Sequence, residues 1–140
     1  MRLRFALLLS LACVLPAHAQ QAPEWFAETF LDVREDVADA ARENKRLMLY
    51  FWLEGCPYCK TLEETTFRDP AVVGRMKREF VAVALNVRGD REVTWTDGRK
   101  MSEKELTRLL DVRGTPTLLF LDENGRIAER VRGYVDARRF

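Results

Sequence analysis

The chain has 140 residues, of which 47% are hydrophobic, and its 23 Lys and Arg residues are balanced by 22 Asp and Glu residues for a net charge of +1. This length predicts one globular domain. The charges are interspersed, so there is neither a basic stripe that would indicate a nucleic-acid partner nor a long like-charge block that would indicate a disordered tail.

Residues 1–19 predict a cleavable signal peptide. Arg2 and Arg4 give a positively charged start, residues 5–15 form an apolar stretch that is too short to cross a bilayer, and Ala17-His18-Ala19 places small residues at the cleavage positions. An uncleaved N-terminal anchor is the alternative. We therefore expect an exported protein.

The three cysteines indicate a reactive pair rather than a structural framework. Export would remove Cys13, and we discount a lipoprotein anchored through it because Ser10 stands where that motif usually has leucine. Cys56 and Cys59 remain, and a bridge between them closes such a small loop that it adds little stability. A Cys-x-x-Cys pair at a strand-to-helix junction is instead typical of a dithiol/disulfide centre.

No metal or haem is expected at this pair. Structural zinc takes four nitrogen or sulfur ligands, and the exported chain would keep two cysteines and no histidine, because His18 leaves with the signal peptide. A c-type haem site requires histidine directly after the second cysteine, where this chain has Lys60. We therefore expect no cofactor other than the Cys56–Cys59 disulfide itself.

The first part of the domain, residues 20–45, predicts an amphipathic helix over 23–44 with Pro23 in its first turn. The apolar residues that recur there at helical spacing are Trp25, Phe26, Phe30, Leu31, Val37, Ala38 and Ala41. Residues 46–53 follow as a continuous apolar run, which is typical of a strand buried on both faces. Trp52 lies in this run and is therefore expected in the core.

The motif Gly55-Cys56-Pro57-Tyr58-Cys59-Lys60 follows this strand directly. Pro57 favours the first turn of a helix, which we place at residues 57–66. Asp69 is positioned to cap a second helix, and residues 80–87 predict another buried strand. A strand, helix and strand in this order form a right-handed crossover, so the two strands should run parallel.

Residues 88–101 interrupt the pattern as a polar insertion, in which Asp97-Gly98 predicts a small hairpin. Trp95 within it either contacts a partner or covers the sheet. Ser102 and Glu105 have the spacing of a capping box and therefore begin the next helix.

The last part of the chain predicts a β-hairpin followed by a short or truncated helix. Strands at 117–121 and 127–131 are joined by a turn at Asn124-Gly125, and residues 136–140 have the pattern of a first helical turn. The core, residues 46–140, is therefore predicted as an α/β fold. Its mixed central sheet combines a βαβ unit with a β-hairpin and carries helices on both faces.

This arrangement resembles the thioredoxin-like superfamily over residues 24–140. The segment Phe51-Trp52-Leu53-Glu54-Gly55-Cys56-Pro57-Tyr58-Cys59-Lys60 is similar to the family's active-site segment, and Thr115-Pro116-Thr117 is similar to the loop whose proline is cis. The insertion at 88–101 resembles that of periplasmic SoxW-type thioredoxin-related proteins and of the C-terminal domains of membrane thiol:disulfide interchange proteins. The resemblance implies a thioredoxin fold.

The resemblance further implies a thiol:disulfide oxidoreductase of the bacterial periplasm, most simply a reductase of protein disulfides. Cys56, at a helix N-terminus that favours the thiolate, would be the nucleophile, and Cys59 would be the resolving thiol. Disulfide-containing periplasmic proteins would be the substrates, an integral-membrane thiol protein would supply electrons, and we expect a monomer. A thiol oxidase or isomerase, and a redox-independent, chaperone-like peptide-binding module, are the alternatives.

The substrate-binding residues implied by the resemblance are Thr115, Pro116, Pro57 and Tyr58. In the family, the loop before the cis-proline offers the backbone of the preceding residue, here Thr115, to an extended substrate segment.

One departure from the family leaves the direction of electron flow open. Thioredoxin has a buried Asp six residues before its first active-site cysteine, whereas this chain has Tyr50. The Pro57-Tyr58 dipeptide between the cysteines also differs from the Gly-Pro of thioredoxin. Glu54 and Glu63 are expected either to assist proton transfer to Cys59 or to be solvated surface charges.

Overall fold

A computed structural model describes residues 22–140, in which a mixed sheet lies between two layers of helices. The elements in chain order are α1 (Val33–Arg42), β1 (Arg46–Trp52), α2 (Pro57–Glu64), a 3-10 turn (Thr66–Arg68), α3 (Pro70–Glu79), β2 (Phe80–Asn86), β3 (Glu92–Thr94), β4 (Lys100–Ser102), α4 (Glu103–Leu109), β5 (Thr117–Leu121) and β6 (Ile127–Arg132). The predicted α/β class, with a mixed sheet and helices on both faces, is confirmed.

The central sheet has the strand order β2-β1-β5-β6. β1 and β2 pair in parallel, as the crossover predicted, whereas β5 pairs antiparallel with both β1 and β6. The sheet is therefore a βαβ unit joined to a β-hairpin. β3 and β4 form a separate two-stranded sheet.

Strand β1 lies at the centre of the domain, and its side chains alternate between the two faces of the sheet. Leu47, Leu49 and Phe51 pack against α1, α4 and the β3–β4 hairpin, whereas Met48 and Tyr50 pack against α2 and α3. All five side chains are fully buried. Helices on both faces explain why this strand has a continuous apolar sequence rather than an alternating one.

The predicted N-terminal helix is wrong for residues 23–32, because α1 begins only at Val33. The Asp32 carboxylate caps this helix by accepting hydrogen bonds from the N–H groups of Arg34 and Glu35. Leu31, just before the cap, has a φ of 59°, which a right-handed helix excludes.

The apolar residues of this N-terminal segment have helical spacing but pack on different sides of the sheet. Phe26 joins the layer of α2 and α3, Leu31 joins the layer of α1 and α4, and Phe30 is fully exposed. Between them, Ala27 donates its N–H to the carbonyl of Ala82 on the edge strand β2 at 2.8 Å. A segment that crosses from one face of a sheet to the other cannot be a single helix.

Two further segments are less helical than predicted. α2 ends at Glu64, and the chain then enters a 3-10 turn in which the Thr66 hydroxyl donates to the carbonyl of Val135 at 2.7 Å. Residues 136–140 form a single hydrogen-bonded turn rather than a helix. Phe140, at its end, packs edge-on against Phe67 with ring centroids 5.9 Å apart.

The insertion is a folded part of the domain. The hairpin predicted at Asp97-Gly98 is formed by β3 and β4, and the capping box of Ser102 and Glu105 is present at the start of α4. Trp95 is only 8% exposed and packs in the layer of α1 and α4, so it covers the sheet rather than contacting a partner. Trp52, expected in the core, is half-buried at the end of β1.

The predicted signal peptide, with Cys13, lies outside the described residues. Within residues 22–140, no helix combines the length and the apolarity needed to cross a membrane.

Candidate active site

Cys56 and Cys59 are joined as a disulfide at the start of α2, with their Cα atoms 5.3 Å apart. Cys56 is the N-cap residue of the helix, and Pro57 occupies its first turn as predicted. Cys56 is 8% exposed, whereas Cys59 has no exposed surface. Cys56 is therefore the less deeply buried member of the pair.

The N-terminus of α2 places hydrogen-bond donors and a positive partial charge beside Cys56. The N–H of Cys59 donates to Cys56 Sγ at 3.2 Å. The first N–H groups of a helix have no partner within the helix, and together with the helix dipole they favour negative charge at this end. A thiolate formed at Cys56 on reduction would be stabilised by this arrangement.

The topology of the sheet brings a second loop against Cys56. Because β1 and β5 are antiparallel, with Phe51 opposite Thr117, the end of β1 and the start of β5 lie at the same edge of the sheet. The loop that follows β1 carries Cys56, and the loop that precedes β5 carries Thr115 and Pro116. These residues are 59 positions apart in sequence but in contact in the fold.

Thr115 contacts the exposed sulfur through both its side chain and its backbone. Its hydroxyl donates to Cys56 Sγ at 3.3 Å, and its carbonyl oxygen lies 3.6 Å from the same sulfur. The sulfur has no hydrogen in the disulfide, so the second distance is a contact that becomes a possible hydrogen bond only for the reduced thiol. The Thr115 hydroxyl can stabilise a thiolate in the same position.

The loop around Pro116 is fixed by hydrogen bonds on either side. The Thr115–Pro116 peptide bond is cis, and the carbonyl of Pro116 accepts the N–H of Gly133 at 2.8 Å. The hydroxyl of Thr117 donates to the carbonyl of Gly114 at 2.7 Å. The N–H of Thr115 has no hydrogen-bond acceptor within residues 22–140, so it is available to an incoming peptide strand.

The other two predicted substrate-binding residues lie on the outer side of the motif. Pro57 is exposed, and Tyr58 has 65% of its surface accessible to solvent. Pro116 is buried beneath the loop. Of the four residues, Thr115 contacts the Cys56 sulfur, Pro57 and Tyr58 follow Cys56 directly in the chain, and Pro116 follows Thr115. Glu54 is an exposed residue of the loop before Cys56.

Cys59 shares its buried cluster with Tyr50, which in turn contacts Glu63 of α2. Tyr50 is fully buried in the same apolar cluster as Cys59, and its hydroxyl donates to Glu63 Oε1 at 2.7 Å. Burial, then this hydrogen bond and the charge of Glu63, raise the pKa of Tyr50 far above its ordinary value. Tyr50 is therefore a permanent hydrogen-bond donor at any physiological pH.

Two of these contacts, from the Thr115 hydroxyl and from the Tyr50 hydroxyl, are not predicted by the sequence. The sequence predicts a role for the Thr115 backbone but not for its hydroxyl, and it does not identify the hydrogen-bond partner of Tyr50. The two contacts span 59 and 13 residues respectively, so no local spacing shows them. The signal in the sequence is chemical: Tyr50 stands where the resemblance to thioredoxin implies an acid, and a residue with a hydroxyl, Thr115, precedes the proline.

Comparison with known proteins gives consistent matches. Residues 33–140 match the family model of a thioredoxin-like domain. Thiol:disulfide interchange protein DsbD from Photorhabdus laumondii is 35% identical over 99 residues, which cover 69% of this chain and 16% of that protein. This chain thus spans about a sixth of the length of that relative.

Two solved structures extend the likeness to the fold. The solution structure of a thioredoxin from Thermus thermophilus is 26% identical with a TM-score of 0.60, and the match covers 84% of this chain and 81% of that one. The oxidised C-terminal domain of DsbD from Neisseria meningitidis is 21% identical with a TM-score of 0.55, over 81% of this chain and 90% of that domain.

Proposed function

Since this chain belongs to the thioredoxin-like domain family, we propose that it is an exported thiol:disulfide oxidoreductase that reduces protein disulfides in the periplasm. The observation that carries the proposal is the position of Cys56. Its sulfur caps the N-terminus of α2, is the accessible member of the pair, and contacts Thr115 of the opposing loop.

The proposed reaction is two successive thiol–disulfide exchanges. The Cys56 thiolate attacks a substrate disulfide, so that a mixed disulfide forms and one substrate sulfur leaves as a thiolate. Cys59 then loses its proton and attacks Cys56 Sγ, which closes the Cys56–Cys59 disulfide and releases the second substrate sulfur. Two electrons pass from the enzyme dithiol to the substrate disulfide.

Substrate recognition in this proposal uses the loop opposite Cys56. An extended segment of the substrate would pair with the backbone of Thr115, whose N–H has no acceptor within the described chain, in the manner of an added strand. The exposed Pro57 and Tyr58 would contact the same segment from the helix side, and Pro116 would support the loop.

The remaining partners follow from the chemistry and from the relatives. Each turnover leaves the enzyme oxidised, so an electron donor must reduce the Cys56–Cys59 disulfide again. The relatives are thiol:disulfide interchange proteins, and we propose an integral-membrane thiol protein as this donor. The domain would act as a monomer, with no cofactor beyond its own cysteines.

The proposal is tested by insulin-disulfide reduction with dithiothreitol as the electron source. The wild-type protein should accelerate the reduction, and Cys56→Ser should reduce the rate to that of dithiothreitol alone, because the attacking sulfur is lost. Exposed Glu79→Gln, on α3, is a control that should keep the wild-type rate. Equal rates for the wild type and Cys56→Ser would contradict the proposal.

A thiol oxidase or isomerase is the second candidate. Tyr50 stands where the resemblance implies a buried acid, so one determinant of the direction of electron flow is missing. The reduction potential of the Cys56–Cys59 couple separates the two. A value of about −270 mV would support a reductase, whereas a value of about −120 mV would support an oxidase.

A further inference from the structure

We propose that Tyr50 is a positioning residue, whose hydroxyl holds the Glu63 carboxylate beside Cys59 so that Glu63 receives the proton of the resolving thiol. This inference rests on the proposed function, since it assigns the proton of its second step. It concerns the buried side of the disulfide, whereas Thr115 acts on the exposed side.

The geometry places the three side chains in one neighbourhood. Cys59 and Glu63 are four residues apart on α2, so their side chains are neighbours on one face of that helix. Tyr50 approaches this face from β1, within the same cluster as Cys59, and its hydroxyl lies 2.7 Å from Glu63 Oε1. The carboxylate is thus held on the face of α2 that carries the buried sulfur.

The packing of the Tyr50 ring restricts where its hydroxyl can lie. It packs edge-on against Phe26 and Phe67, with ring centroids 5.7 and 5.4 Å away, and none of its surface is exposed. A buried phenol hydroxyl is stable only when it is hydrogen-bonded. The fixed ring therefore presents its hydroxyl to one carboxylate oxygen of Glu63, a half-buried residue.

The chemical need for an acceptor arises from the burial of Cys59. The thiol has no exposed surface, so bulk water cannot readily take its proton. In the mixed disulfide, transfer of this proton to the Glu63 carboxylate would leave the Cys59 thiolate, which attacks Cys56 Sγ and expels the substrate sulfur as a thiolate. Glu63 later returns the proton to solvent through its accessible side.

Other ionisable groups around Glu63 lie on the outer surface. Lys60 and Glu64, on the same helix, face each other across 4.0 Å and have exposed side chains. Arg68 follows in the 3-10 turn and is exposed. Tyr134, from the C-terminal segment, places its hydroxyl 3.4 Å from Thr65 Oγ1 and is 40% exposed. Tyr50, by contrast, shares the buried cluster of Cys59 and donates its hydroxyl to Glu63 Oε1 at 2.7 Å.

The test separates the two exchange steps with the reduced protein and 5,5′-dithiobis(2-nitrobenzoate) in a stopped-flow instrument. Attack by Cys56 releases the first thionitrobenzoate, and attack by Cys59 on the mixed disulfide releases the second. At neutral pH, Glu63→Gln should slow the second release by about tenfold or more, and Tyr50→Phe should slow it by a smaller factor. The first release should change less than about twofold, because Cys56 and its stabilising helix N-terminus are not altered by these substitutions.

Two matched control variants remove a carboxylate and a phenol hydroxyl from the neighbouring surface. Glu64→Gln and Tyr134→Phe should leave both releases unchanged. The double variant Tyr50→Phe with Glu63→Gln should be no slower than Glu63→Gln alone, because Tyr50 acts only through Glu63. The deficit of Glu63→Gln should shrink as the pH rises above about 8.5, where thiols ionise without assistance.

The outcomes distinguish this inference from the proposed function. A second release that is unchanged in both Tyr50→Phe and Glu63→Gln would overturn the inference, and so would additive effects in the double variant. A deficit that does not depend on pH would show a structural role and would also overturn it. Failure of the proposed function would give a different result: Cys56→Ser would still release the first thionitrobenzoate at the wild-type rate.

Discussion

Tyr50 is a completely buried phenol at the position that, by the family resemblance, corresponds to the buried Asp of thioredoxin. Burial is the main cause of its strongly raised pKa, and the hydrogen bond and charge of Glu63 add to it. The folded protein therefore keeps the Tyr50 proton at a pH at which the unfolded chain loses it. A group whose pKa is higher in the folded state stabilises the fold below its unfolded pKa, and this contribution is lost as the pH rises beyond that value.

Tyr50→Phe should change the alkaline stability of the oxidised protein in a predictable direction. From pH 7 to about 10, the difference in unfolding free energy between wild type and variant should be constant. Above that range, the wild type should lose about 1.4 kcal/mol per pH unit relative to the variant, because unfolding releases the Tyr50 proton. Urea unfolding between pH 8 and 11.5 measures this difference. A difference that stays constant throughout would show that Tyr50 ionises equally in both states.

The sequence predicts part of the chemistry at this scale. The reactive pair, the helix N-terminus at Cys56 and the proximity of Thr115 follow from the motif and the family resemblance. The hydroxyl contact of Thr115 and the Tyr50–Glu63 hydrogen bond do not, because they depend on side-chain packing between elements that are distant in the chain.

At the scale of elements, Glu103 anchors the insertion to the central sheet. It is the first residue of α4 and is only 1% exposed. Its Oε1 accepts the N–H of Asn86 at 2.8 Å and the Arg91 guanidinium at 2.7 Å, and its Oε2 accepts the N–H of Arg91 at 3.3 Å. Gly89 leaves room for this carboxylate, since a Cβ there would run into it.

Replacement of Glu103 should therefore be costly. Glu103→Ala leaves the partly buried N–H of Asn86 without an acceptor and removes the partner of Arg91, so we expect a loss of about 2 to 3 kcal/mol in unfolding free energy. Glu105→Ala, which removes the exposed partner in the capping box of the same helix, should cost about 1 kcal/mol or less. Urea denaturation compares the two variants. A Glu103→Ala loss no larger than that of Glu105→Ala would refute the anchoring role.

The elements that the sequence predicted well are those with local signals. Asp69 and the capping box mark helix starts through their own side chains, and the Asp97-Gly98 and Asn124-Gly125 pairs mark turns. The N-terminal helix failed because the spacing of its apolar residues does not show which face of the sheet each one covers. That choice is made by tertiary packing.

At the scale of the whole molecule, the sheet order creates the site. β1 ends and β5 begins at the same edge of the sheet, so the cysteine motif and the Thr115-Pro116 loop meet there. The helices on one face cover Cys59, whereas Cys56 stays accessible at the edge. Cys56 is thus the less buried of the two and Cys59 is fully enclosed, which is the asymmetry that a nucleophile and a resolving thiol require.

The most direct test of this account is covalent trapping of a substrate with Cys59→Ser. The reduced variant should form a stable mixed disulfide with a disulfide-containing protein such as insulin, linked through Cys56 and released by dithiothreitol, because no second thiol remains to resolve it. Cys56→Ser should form no such adduct, since Cys59 is buried. Equal adducts from both variants, or no adduct from Cys59→Ser, would contradict the assignment of Cys56 as the attacking sulfur.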